Sequence, residues 1–162
     1  MNGMCKQSAN ISKIYLLNVG ISKEHIEKTI LSLNIENVIL FSSVQMRDDT
    51  ISYAGHLKEI GLNVLDMVFV DPFTEKSVDE MIQSMLRIVD QYPSDDIEII
   101  AGLTGGTNLM AISLGIVAFI KGLRCNYVLN KDADFIISIN TFEKLSPEMT
   151  LIDVESYFKG GF

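Results

Sequence analysis

Short continuous apolar runs alternate along this chain with longer segments whose apolar residues recur at three- and four-residue steps. Runs of the first kind read as strands buried on both faces, and segments of the second kind as amphipathic helices. Residues 13–20 (KIYLLNVG) give the first strand. Ser22 is expected to cap a helix in SKEHIEKTILSLN, with Ile26, Ile30, Leu31 and Leu33 near helical spacing. A second strand covers 37–41 and ends in Ser42-Ser43, and 47–60 reads as a helix stopped at Gly61. The third strand, 63–70, closes at Asp71-Pro72. A long helix over 74–92 follows, carrying Val78, Met81, Ile82, Met85, Leu86 and Val89 on one stripe and ending at Pro93.

A fourth strand at 97–103 leads into a glycine turn and a helix over 107–121 that is apolar nearly all round. A helix of that kind is normally covered on two sides, by the sheet and by a second surface. Two further strands, 124–130 and 135–142, flank a short polar turn at 130–134. That turn suits a hairpin, so the last strand is expected to be antiparallel. The alternation predicts an α/β fold: a Rossmann-like open, mostly parallel sheet of about six strands with helices on both faces. Residues 1–11 read as a flexible leader, 12–145 as the folded domain, and 146–162 as a short C-terminal extension.

In such sheets ligands collect at the carboxyl ends of the strands, beside the point where the strand order reverses. Three strand ends here are small and polar: Asn18 to Ser22, Ser42-Ser43, and Thr104-Gly105-Gly106-Thr107-Asn108. Gly105 and Gly106 permit positive φ and let a ligand approach the backbone. The N–H groups of the following helix would then meet an anion, with the helix dipole in support. The glycine turn alone also suits a plain strand-to-helix connection with Thr107 as N-cap. The three polar strand ends together favour the anion or nucleotide site. Known phosphate loops do not fit: Gly106-Thr107-Asn108 stands where a Walker A loop needs Gly-Lys-Ser/Thr, and the first strand lacks GxGxxG. ATP hydrolysis and nicotinamide chemistry are disfavoured.

The formal net charge of −8 narrows the choice of partners. Such a surface repels duplex nucleic acid at long range, so any bound anion must be held by local donors. Hydrophobic residues make up 48% of the 162 positions, enough for a substantial core. Cys5 and Cys125 show no metal-ligand spacing, and His25 and His56 have no companions at zinc-binding intervals. No metal or cofactor is expected, and both histidines read as ordinary helix residues. The N-terminus lacks the apolar core of a signal peptide, and the apolar stretch 109–120 is too short to span a bilayer. A cytoplasmic protein with no membrane partner is the expectation.

The chain resembles the CARF domain, the CRISPR-associated Rossmann fold. The residues that carry the resemblance are KIYLLNVGIS, VILFSS, VDPFTEKSVDEM and above all AGLTGGTNLMAISLG, spanning roughly 12–142. The resemblance implies a homodimer that binds a cyclic oligoadenylate, a tetramer or hexamer, across its two-fold axis, as the sensor of type III CRISPR defence. It implies ligand-facing positions at Gly20, Ser22, Ser42, Ser43, Thr104, Gly105, Gly106, Thr107 and Asn108. A ring messenger has its own symmetry, which identical loops from two subunits can match.

Some members of the family also cut the ring, without a metal, by attack of a ribose 2′-hydroxyl on the adjacent phosphorus. Ser22 and Asn108 are the catalytic candidates on that alternative. Many members carry lysine directly after Gly-Gly-Thr, where this chain has Asn108, an amide with no charge to offer the transition state. Lys23 and Lys131 are the nearby cations in sequence. A generic nucleotide-binding Rossmann-like protein is the third alternative. Effector members carry a further nuclease or winged-helix domain, whereas residues 142–162 suffice for one short helix and hold no basic DNA-reading surface.

Overall fold

A computed structural model describes residues 13–93 and 96–128, together with the backbone of Ile136–Ile139. The expected leader with Cys5, the turn at 130–134 with Lys131, and the extension at 146–162 lie outside the described residues. The elements run β1 (Lys13–Asn18), α1 (Glu24–Leu33), β2 (Asn37–Ser43), α2 (Arg47–Glu59), β3 (Asn63–Val70), α3 (Ser77–Asp90), β4 (Glu98–Gly102), α4 (Asn108–Lys121), β5 (Arg124–Val128) and β6 (Ile136–Ile139). A single 3₁₀ turn, Val44–Met46, joins β2 to α2.

The strands form one sheet in the order β3-β2-β1-β4-β5-β6. Every pairing is parallel except β5 with β6, which is antiparallel as the hairpin predicted. β1 is central, and Ile14, Leu16 and Leu17 on it are all but inaccessible to solvent. Alternate side chains of the central strands serve opposite faces, which is why they read as unbroken apolar runs. On one face Tyr15, Leu17, Val38 and Leu40 pack with Ile26 and Ile30 of α1 and with Ala54 and Leu57 of α2. On the other, Ile14, Leu16, Ile39 and Phe41 meet Met81 and Met85 of α3 and Leu114 and Val117 of α4. Each large apolar side chain buried in this way contributes roughly 1.5–3 kcal/mol.

The structure differs from the sequence reading at several element ends; β2, for one, runs on to Ser43. β1 ends at Asn18, two residues before Gly20, which leaves residues 19–23 as loop. α3 is shorter than 74–92, because 71–76 form turns before Ser77. Ser22 does not cap α1: Lys23 holds the N-cap position, with no side-chain hydrogen bond to the helix. The Ser22 hydroxyl instead donates to Glu24 Oε2 at 2.6 Å. Thr107 does cap α4, its Oγ1 accepting from the Met110 N–H at 3.2 Å.

Among the described residues, no helix is long and apolar enough to cross a membrane. Among the described residues, one apolar face of α4 is left exposed: Leu109, Ile112, Ile116 and Ile120, at steps of three and four.

Candidate functional site

The connections of the first three strands run outward from β1, with α1 and α2 on one face. α3 then carries the chain back to β4 on the other side of β1. The strand order therefore reverses between β1 and β4, and their carboxyl ends part to leave a crevice. A cavity of about 560 Å³ occupies this place, within the range that holds a small molecule or nucleotide.

Two loops make its floor. After β4, Gly105 and Gly106 adopt φ of 94° and 69°, conformations a side chain would resist. After β1, Gly20 approaches so closely that a Cβ on it would lie 2.6 Å from the Gly106 nitrogen. The two glycine-bearing loops thus pass backbone against backbone, and the sequence affords no room for a methyl between them. Thr104 is fixed by its Oγ1, which accepts from the Val128 N–H at 2.7 Å and so ties the turn to the end of β5. In both Thr104 and Thr107 the oxygen accepts from backbone, so each hydroxyl proton remains available to a ligand.

The N–H groups of Asn108 and Leu109 begin α4, where no preceding turn supplies an acceptor. They carry the positive end of the helix dipole toward the turn. The arrangement offers neutral donors at close range, which suits an anion on an otherwise acidic molecule.

Seven of the nine expected positions come together here: Gly20, Ser22, Ser43, Thr104, Gly105, Gly106 and Thr107 all line the cavity. Ser42 does not. It is fully buried, its hydroxyl donating to the Val19 carbonyl and its oxygen accepting from Thr50, so it ties β2 to β1 and α2. Asn108 sits exposed on the first turn of α4 and its side chain is not part of the lining. Ser22 reaches the cavity with its proton already directed at a carboxylate. Lys23 is paired with Asp49 and lies over the Tyr53 ring; its side chain is not part of the lining, though its ammonium also donates to the Ile21 carbonyl at 3.4 Å.

The sequence reading missed several lining residues, His25 and Phe73 among them. His25 is only 6% exposed, and its Nε2 is buried without a hydrogen-bond partner among the described residues. Burial lowers its pKa, partly countered by the Thr104 backbone and the Glu24 charge, so the ring is neutral at pH 7. The signal was its place one turn after a polar strand end, where a helix start faces the crevice. His56, by contrast, pairs with Glu27 at 2.9 Å and lies outside the lining. Among the described residues, no cluster of three or more His, Cys, Asp or Glu side chains could hold a metal ion.

No protein-family model matches the chain, and no curated protein matches it. Solved structures do. Can2 from Sulfobacillus thermosulfidooxidans in complex with cyclic tetra-adenylate superposes with a TM-score of 0.63 at 16% identity, over 79% of this chain and 35% of that one. A type III CRISPR defence DNA nuclease activated by cyclic oligoadenylate gives 0.60 at 20% identity, over 70% of this chain and 18% of that one. Csm6 from Enterococcus italicus, bound to cyclic hexa-2′-fluoro-hexa-dAMP, gives 0.57 at 16% identity, over 73% and 33%. These neighbours are CARF-domain proteins, and the fold they share with this chain is the Rossmann-like one expected from its sequence. The matched part is about a third or less of each of these neighbours.

Proposed function

We propose that the chain is a CARF-type sensing domain that binds a cyclic oligoadenylate as a homodimer. The observation that carries this reading is the cavity at the β1–β4 reversal, floored by the Gly20 loop and the 104–107 turn. Its donors are backbone amides and threonine hydroxyls, which suit a phosphodiester held at short range. The fold likeness to proteins described as bound to or activated by such rings supports the choice of ligand.

The α4 stripe supports the dimer. Its exposed stripe, Leu109 to Ile120, needs cover, and a second copy supplies an identical stripe across a two-fold axis. Leu109 belongs to the same first turn as the anion-facing amides, so pairing through this stripe brings two cavities to one axis. A cyclic ligand with matching symmetry then spans both. Duplex DNA is not a fitting partner for a chain of net charge −8.

Cleavage of the ring is the weaker reading. The described lining contains no lysine or arginine, and Ser22 donates to Glu24. The test is native mass spectrometry with a mixture of cyclic tri-, tetra-, penta- and hexa-adenylate, sampled over hours. The expected result is one intact ring per dimer that persists. A ring that decays to linear species ending in a cyclic phosphate makes the protein an enzyme. Binding of AMP or ATP with no preference for rings, or of nothing, refutes the proposal.

A further inference from the structure

Phe73 is 73% exposed, yet it lines the cavity. A large aromatic in that position gains little from the fold that carries it, and an exposed ring at the mouth of a site is best understood through what covers it. Its turn is held firmly. Asp71 Oδ1 accepts from the Phe73 N–H at 3.0 Å and, at 3.4 Å, from the side-chain amide of Gln45, itself a lining residue of the β2–α2 connection. Pro72, between them, is buried and fixes φ. The ring is thus presented by a braced turn and not by a loose loop. From the β1–α1 loop a second large apolar side chain, Ile21, lines the same cavity at 88% exposure.

The cavity therefore has two chemistries. Polar donors sit at the 104–107 turn, and exposed apolar surface is offered by Phe73 and Ile21. A nucleotide has the same division, with phosphate at one end and a flat π-face at the other. We propose that Phe73 is the stacking platform for a purine base of the ligand and selects purine over pyrimidine rings. This rests on the cyclic-oligonucleotide reading above and adds to it the residue that holds the base. Stacking on an aromatic side chain strengthens with base area, so adenine is held more tightly than uracil.

The chain has no tryptophan, so Phe73→Trp introduces a single reporter at the proposed contact. Titration of this variant with cyclic tetra- and hexa-adenylate is expected to quench its emission, with affinity within about threefold of the wild type. Phe73→Ala is expected to bind the same rings roughly 10- to 100-fold more weakly. Its melting temperature stays unchanged, since the ring is exposed. A cyclic tetra-uridylate is expected to bind the wild type at least tenfold more weakly than the adenylate, and Phe73→Ala narrows that gap.

Wild-type binding that Phe73→Ala leaves within twofold, or binding to Phe73→Trp without quenching, overturns the inference and leaves the sensor reading standing. Conversion of Phe73→Ala from dimer to monomer in sedimentation also overturns it, because the ring would then serve the subunit contact. Failure of the wild type to bind any ring refutes both.

Discussion

Replacing Gly20 by alanine tests the geometry of the site without presuming its ligand. The added Cβ would lie 2.6 Å from the Gly106 nitrogen, 3.3 Å from its Cα and 3.6 Å from the Gly105 carbonyl carbon. All three are backbone atoms, so no rotamer change relieves the contact. Ordinary van der Waals separation begins near 3.4 Å, so the two loops must part by most of an ångström. Overpacking of this kind costs about 1–3 kcal/mol. For a domain of this size each kcal/mol lowers the melting temperature by roughly 2–4 °C.

Gly55→Ala provides the contrast. Gly55 lies exposed within α2, and a Cβ there meets nothing within 4 Å. Helix propensity then stabilises by roughly 0.5–1 kcal/mol. Thermal denaturation of both variants is expected to move in opposite directions. Amide NMR shifts in Gly20→Ala should concentrate at Gly105, Gly106 and Thr107, with ring affinity falling at least tenfold as the amides are displaced. A Gly20→Ala protein that melts within a degree of the wild type, with those amides unmoved, refutes the close approach on which the site is built.

Three further outcomes are expected. Between the lowered pKa of folded His25 and the usual 6.5, the unfolded chain takes the proton and the folded one does not, so this group makes stability fall as pH drops below 6.5. Denaturant titrations at pH 7.5 and 5.5 should show a smaller difference in His25→Leu than in the wild type, whatever the variant's baseline, and an equal difference refutes the burial argument. Ile112→Asp, at an exposed position of the α4 stripe, should keep the wild-type circular dichroism while light scattering shows one 18.1 kDa chain in place of two. Cys125, its thiol pushed up to about 11 by burial, should resist thiol reagents at pH 8 until denaturant is added.

The strands were legible because a parallel sheet covered on both faces needs uninterrupted apolar runs, and KIYLLN and NVILF are such runs. The glycine turn was legible because positive φ at Gly105 and Gly106 leaves a mark in residue type. What escaped was of another kind. Ser42 and Ser43 are identical in type, yet strand alternation sends the first into the interior and the second into the cavity. Ser22 had the composition of a cap, but the loop after Asn18 ran longer than the apolar run suggested, and its hydroxyl met Glu24 instead. Phe73 was invisible as a lining residue, because the sequence does not say that the end of β3 shares a crevice with the end of β1.

The same site also bears on whether a bound ring would survive. An active site accelerates a reaction only through contacts that strengthen as charge develops in the transition state. The described floor offers amides and threonine hydroxyls, which on the proposed reading would meet a phosphodiester already carrying one charge. An in-line attack places a second charge there, and Lys23, paired with Asp49, is absent from the lining. Glu24, which accepts from the lining residue Ser22, places a carboxylate next to the cavity. On the proposed sensor reading, the described residues would hold ground state and transition state about equally, which favours affinity over rate. Removing the carboxylate tests this balance: Glu24→Gln should tighten binding of cyclic tetra-adenylate several-fold while the ring stays intact. Rapid ring opening by the unaltered protein would show that the ligand brings together a charge arrangement which these residues alone do not contain.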